Sequence, residues 1–211
     1  MRDAKEINQI MSIFQACDAN PPTELEYTNA YTLLVAIMLS AQSTDKGVNK
    51  ATRELFKIAD SPQKMLNLGL EKLKEYIKTI GLYNNKAKNI ISMSEELLNN
   101  HSGKVPATRE DLVSLSGVGR KTANVLLNVW FGQPTIAVDT HVLRVAKRLD
   151  LSDGGSDPLK VEKDLDSVLQ SEYKKHVNHW LVLFGRYICK AQKPDCKKCP
   201  VSVFCSSKDK I

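Results

Sequence analysis

Lys121 stands in the run Leu115-Ser116-Gly117-Val118-Gly119-Arg120-Lys121-Thr122-Ala123-Asn124-Val125-Leu126. The pattern predicts a helix ending near Leu115, a tight turn made by two glycines, and a second helix starting near Arg120. Glycine is the residue for a backbone that needs positive φ or must lie close to another molecule. The amides that open a helix lack intrahelical partners and can hold a phosphate. A lysine on that first turn, with Arg120 beside it, is a candidate nucleophile, although most lysines are only solvated surface groups. An attacking amine must be neutral, and the reference lysine pKa is about 10.4, so a shift of three units requires about 4 kcal/mol. A helix N-terminus contributes only about 0.3–1 kcal/mol at exposed sites. Desolvation by a bound substrate must therefore supply most of the shift.

Asp139, in Ile136-Ala137-Val138-Asp139-Thr140-His141, reads first as the cap of the next helix. Capping keeps a carboxylate rigid and ionised. Such a group can stabilise developing positive charge on a sugar or take part in moving protons. Cys189, Cys196, Cys199 and Cys205 form the pattern C-x6-C-x2-C-x5-C. In a reducing compartment this is a metal site rather than a pair of disulfides. Four thiolates suit zinc or an iron–sulfur cluster, and the spacing alone does not choose. A loop with so little core of its own would need the metal to hold its shape. Lys190, Lys193, Lys197 and Lys198 crowd these cysteines, so the loop is expected to offer Lys193 and its neighbours to phosphates. With four cysteines present, His176 and His179 read as ordinary helix residues. Cys17 stands apart and is expected in the core.

The elements that must position these groups read as helices. The chain has 211 residues with a net charge of +6, which favours an anionic partner such as nucleic acid. No convincing alternating strand run is found. Helices are predicted over 3–17, from Asn29 to about Ser40, from Thr44 onward, from Ser61-Pro62 to Gly69, over 71–80, over 85–99, from Thr108 to the Gly117 turn, from Arg120 to Trp130, from Asp139 onward, from Asp157-Pro158 onward, and over 176–188. The fold class is all-α. A weak internal echo links Ile80-Gly81-Leu82 with Ala87 and Ile90 to Ser116-Gly117-Val118 with Ala123 and Leu126. The longest apolar run, Leu33 to Leu39, is far too short for a bilayer. No targeting segment is evident, and a cytoplasmic protein is expected, nucleoid-associated if bacterial.

The hairpin run, Pro134-Thr135-Ile136-Ala137-Val138-Asp139-Thr140-His141 and the terminal cysteines together resemble the endonuclease III family. These are bifunctional DNA glycosylases and abasic-site lyases of the helix-hairpin-helix superfamily. Ser40-Ala41-Gln42-Ser43-Thr44-Asp45 and Ile80-Gly81-Leu82-Tyr83-Asn84 match the same family. The resemblance covers nearly the whole chain. It implies that Lys121 attacks C1′ of a flipped-out nucleotide, displaces the damaged base and, as a Schiff base, allows β-elimination of the 3′ phosphate, with Asp139 assisting. The adenine glycosylases on this scaffold lack a lysine at the position of Lys121, so its presence favours the lyase branch. The amides around Gly117, Val118 and Gly119 would hold a phosphate. Gln42 would fill the gap left by the flipped base and Leu82 would wedge beside the opposite base. His141 and Arg144 could reach the DNA backbone or could equally be solvated. The cysteines would bind a [4Fe–4S] cluster.

The expected architecture is two helical domains with a DNA-binding groove between them. One covers 23–134, with the helix-hairpin-helix at about 108–131. The other joins 1–22 to 135–211 and ends in the cluster loop, 189–205. The partner is double-stranded DNA carrying damaged bases or abasic sites, the reaction is removal of oxidised or ring-damaged pyrimidines, and the protein is expected to be a monomer with no membrane contact. The alternatives are a monofunctional glycosylase for mismatched or alkylated bases on the same scaffold, and a non-catalytic hairpin DNA-binding protein with structural zinc.

Overall fold

Side-chain capping sets where most of the helices start. In the structure, a computed structural model that describes residues 1–207, Asp3, Asn29, Thr44, Ser61, Thr108, Asp139 and Asp157 each accept a hydrogen bond from a backbone amide of the helix that follows. The α-helices among the described residues are α1 (Ala4–Cys17), α2 (Ala30–Ser40), α3 (Asp45–Ile58), α4 (Pro62–Leu68), α5 (Leu70–Ile77), α6 (Tyr83–His101), α7 (Arg109–Ser114), α8 (Arg120–Val129), α9 (Thr140–Arg148), α10 (Pro158–Val168), α11 (Ser171–Lys174) and α12 (Val177–Tyr187). Two short 3-10 turns, Cys196–Lys198 and Ser202–Phe204, lie in the cysteine loop. No strand occurs among the described residues, and no helix there is long and apolar enough to cross a membrane.

Three expected boundaries move. Helix α5 ends at Ile77 instead of Ile80, because the Ile80 amide turns back onto the Ile77 carbonyl (2.8 Å). Helix α6 starts at Tyr83, two residues early, since left-handed Leu82 stands at its N-cap and accepts the Lys86 amide. It runs on to His101, where Ser102 and Gly103, both at positive φ, stop it. The short α11 was not visible in the sequence because four residues carry no period.

The backbone divides into two compact units, Glu24–Gly132 and Met1–Thr23 together with the chain from Gln133. In the first, α2 is the axis. Every residue from Tyr31 to Leu39 is buried, and α3, α6 and α8 pack on it. This explains why its apolar positions run almost continuously instead of striping one face. In the second, α9 packs on α12, and Gly185 makes the approach close: a Cβ there would come within 2.9 Å of the His141 Cβ. Ile7, Ile10, Met11 and Phe14 of α1 join this core. Cys17, expected in the core, is exposed instead. It is the last residue of α1, and the helix stops there, before another turn could cover its thiol.

Candidate active site and nucleic-acid interface

The hairpin α7–turn–α8 is held from beneath by α6. The Ser116 amide and hydroxyl donate to the two carboxylate oxygens of Glu96 (2.7 and 2.5 Å). Arg109 Nε donates to Asn124 Oδ1 at 2.8 Å, tying the two hairpin helices together. Gly117 has φ +76° and sits on Asn89, whose side chain would lie 2.8 Å from any added Cβ, so glycine is required there twice over. Gly119 differs. It is extended at φ −88°, with open space where a Cβ would be, so its use is access and not conformation. The expectation that both glycines make the turn is thereby corrected. Within the expected phosphate site, the Val118 amide donates to the Leu115 carbonyl (3.0 Å) and the Val118 side chain is buried. The α8 N-terminus has no side-chain cap, and Lys121 is exposed on its first turn.

Gln42 and Leu82 lie on two turns that meet in the same unit. Both residues are left-handed, each at φ 57°, and Leu82 is 62% exposed. Non-glycine residues rarely adopt this conformation, which costs about 1–3 kcal/mol. Exposure of a leucine at a strained turn serves neither packing nor folding. An added Cβ on Gly81 would be 3.8 Å from the Gln42 carbonyl oxygen, so the two turns are in contact range. Lys86, which the sequence reasoning passed over, is 9% exposed and donates from Nζ to the carbonyls of Leu39 (2.9 Å) and Ala41 (2.5 Å). Burial lowers its pKa from the ordinary lysine value. The available signal was a lysine one residue before the buried Ala87 of the internal echo.

In the second unit, Asp139 Oδ1 accepts from the amides of His141 (2.8 Å) and Val142 (2.9 Å), as a cap should. Both bonds go to Oδ1. Burial lowers the pKa of His141, opposed by the charge of Asp139. Arg144 is half-buried and engaged with the protein. It donates to the carbonyls of Cys189 (3.1 Å) and Gly185 (2.8 Å) and lies 3.1 Å from His141 Nδ1. Arg148, one turn on and also missed, donates to the carbonyls of Lys190 (2.7 Å) and Ala191 (3.3 Å) and to Cys189 Sγ (3.4 Å). An arginine at i+4 from Arg144 was the signal for it.

Cys189, Cys196, Cys199 and Cys205 are unbridged and line one cavity together with Arg148, although their thiols do not converge on a single point among the described residues. Burial raises the Cys199 thiol pKa, and the three other cysteines add to the shift. Lys193 is exposed at φ 48°, immediately before Pro194, where the backbone is ordinarily extended. Lys198 is paired with Asp195 at 3.1 Å. Lys121 and Asp139 thus belong to different units, the Gln42 and Leu82 turns adjoin, and the four cysteines share one cavity.

The model of the HhH-GPD superfamily of base excision DNA repair proteins matches residues 35–171. The chain is similar to endonuclease III of Rickettsia felis, with 54% identity over 96% of this chain and 94% of that protein. It is similar to endonuclease III of Haemophilus influenzae, with 51% identity over 100% and 99% of the two chains. Among solved structures it resembles a trapped covalent intermediate of endonuclease III with DNA, an estranged-adenine complex, at a TM-score of 0.93 and 42% identity over 98% of this chain and 97% of that one.

Proposed function

The chain belongs to the HhH-GPD superfamily of base excision DNA repair proteins, and from that membership we propose that it excises oxidised or ring-damaged pyrimidines from duplex DNA and then cleaves the abasic strand. The observation that carries this reading is Lys121, exposed on the uncapped first turn of α8 directly after a turn open to a phosphate.

The damaged nucleotide must leave the stack before a side chain can reach its sugar. Lys121 Nζ then attacks C1′, and the bond between C1′ and the base breaks. The flipped nucleotide supplies the burial that lets the amine lose its proton. The bond between Nζ and C1′ becomes a Schiff base as the sugar ring opens. Loss of a C2′ proton expels the 3′ phosphate and nicks the strand. Asp139, fixed through Oδ1, stabilises positive charge at the sugar and handles protons through Oδ2. Gln42 and Leu82 occupy the space opened in the duplex. The Gly119 amide and the first turn of α8 hold a backbone phosphate, a contact that positions without reading sequence. His141 is a further backbone contact. Arg144, its guanidinium engaged with two carbonyls, contributes by setting the α9 surface.

Cys189, Cys196, Cys199 and Cys205 would hold a [4Fe–4S] cluster. Four free thiols on one cavity, with an arginine N–H directed at Cys189 Sγ, form a donor set suited to anionic sulfur. When bound, the cluster supplies iron–sulfur bonds that fix the loop, and the loop presents Lys193 to a phosphate. The protein acts as a monomer in the cytoplasm.

Borohydride trapping tests the reading. A duplex with one oxidised pyrimidine should give a covalent adduct with the wild-type protein and none with Lys121→Ala. Base release with an intact strand would establish the monofunctional alternative. Binding without turnover, in colourless protein, would establish the zinc-containing one.

A further inference from the structure

The C-terminus of α2 leaves carbonyls that the helix itself cannot satisfy. The Ile37 carbonyl takes the Ser40 hydroxyl (2.8 Å), and the Ser40 carbonyl takes the Ser43 amide (3.0 Å). Leu39 and Ala41 have no such local donor and are closed by one group from elsewhere, the Lys86 ammonium of α6. No basic residue lies in the last turn of α2, so Lys86 also provides the positive charge that the negative end of a helix favours. The loop does little to hold itself. The Ser43 hydroxyl is buried without a hydrogen-bond partner among the described residues. Yet Gln42, between Ala41 and Ser43, is kept at φ 57°. Lys86 lies one turn after Leu82, which is left-handed too, so one side chain joins the helix that carries the second turn to the backbone that forms the first.

We infer that Lys86 is a positioning residue that locks the Gln42 and Leu82 turns into one preformed wedge, so that opening the DNA stack requires no reordering of either turn. The inference rests on the reading that Gln42 and Leu82 enter the duplex. It also accounts for a buried cation that has no carboxylate partner among the described residues and stands apart from the chemistry of Lys121. Two charge-assisted hydrogen bonds to carbonyls offset its burial, and the conformation of Gln42 is what they maintain. A preformed wedge lowers the ordering cost of insertion.

The experiment compares two substrates: a duplex with one oxidised pyrimidine, and a single-stranded oligonucleotide with one abasic site, which has no stack to open. Lys86→Met keeps the stem and removes the donors. It should lower kcat/KM on the duplex about tenfold or more while leaving strand cleavage of the single-stranded substrate within about twofold. Lys86→Arg, which retains charge and donors, should recover most of the duplex activity. In a Gln42→Ala background, Lys86→Met should cost little further, because it acts through that turn. Equal loss on both substrates would reduce Lys86 to a fold-stabilising residue and overturn the inference. So would full additivity with Gln42→Ala, or unchanged duplex activity in Lys86→Met while Gln42→Ala is impaired. If Gln42→Ala and Leu82→Ala themselves leave duplex activity intact, the wedge reading fails first, and the inference with it.

Discussion

Aligning the sequences of the two helical hairpins on Gly81 and Gly117 brings Lys121 opposite Asn85 and Lys86 opposite Thr122. Each hairpin therefore carries a lysine early in its second helix, one residue out of step. One residue is a rotation of about 100° around a helix. That rotation turns Lys86 inward onto two carbonyls and leaves Lys121 outward. The left-handed position differs as well. In the first hairpin it falls on Leu82, and in the second on Gly117. A leucine there projects an apolar side chain from the tip, whereas a glycine leaves the backbone bare. One supersecondary unit thus carries an exposed leucine at its tip in one copy and a bare backbone with an exposed lysine in the other, and the difference turns on single positions.

The largest expected effect breaks the outward lysine. Lys121→Ala should fold normally and lose strand cleavage by about 10⁴-fold, read in single-turnover assays on an abasic duplex. Retained cleavage would mean that the outward lysine is not the nucleophile. Next come the paired glycines. Gly117→Ala forces a Cβ at positive φ onto Asn89 and should destabilise by about 1–3 kcal/mol in denaturant titrations, with weakened DNA binding. Gly81→Ala meets only an ordinary contact at 3.8 Å and should change stability little. Similar losses in both would erase the distinction between the turns.

Leu82→Asn sharpens the comparison from the other side. Asparagine tolerates the left-handed region, so the variant should gain up to about 1 kcal/mol of stability while turning over duplex substrates more slowly. A gain in both would leave the strain at Leu82 without a functional reason. The smallest effect lies outside both hairpins. Burial lowers the pKa of His141, His176 and His179 from the ordinary 6.5. As pH falls below about 6.5 the unfolded chain takes up protons that the folded chain resists, so stability drops on acidification and is unaffected by these groups above that range. The thermal midpoint should be lower at pH 5.5 than at pH 7.5, and His179→Gln should reduce that difference.

The helical elements were legible because caps and breakers are local. Asn29, Thr44, Ser61, Thr108, Asp139 and Asp157 mark helix starts by their own chemistry. The end of α5 depends on a backbone bond from Ile80 to Ile77 that leaves no mark in residue type, and the start of α6 depends on Leu82 adopting a conformation that leucine disfavours. The candidate nucleophile and the cysteines could be read from residue type and spacing. Lys86, Arg144 and Arg148 could not be assigned their contacts. Each is a cation whose partners are carbonyls distant in sequence, and a carbonyl leaves no trace in a residue's identity. For the same reason nothing in the letters showed that the Val118 amide is already engaged.

Helix α6 carries Leu82 at its start, Lys86 under the Gln42 turn, and Asn89 and Glu96 under the Gly117 turn. At about 100° and 1.5 Å per residue, these four positions fall within an arc of roughly 80°, and Lys86 and Glu96 stand about 15 Å apart along the axis. The helix therefore works as a gauge block, setting the interval between the Gln42 turn and the Gly117 turn. Many of its exposed letters can change without altering that interval, but one residue inserted between Lys86 and Asn89 would swing the second pair of anchors about 100° away from the first. The constraint on this segment is on its count more than on its composition.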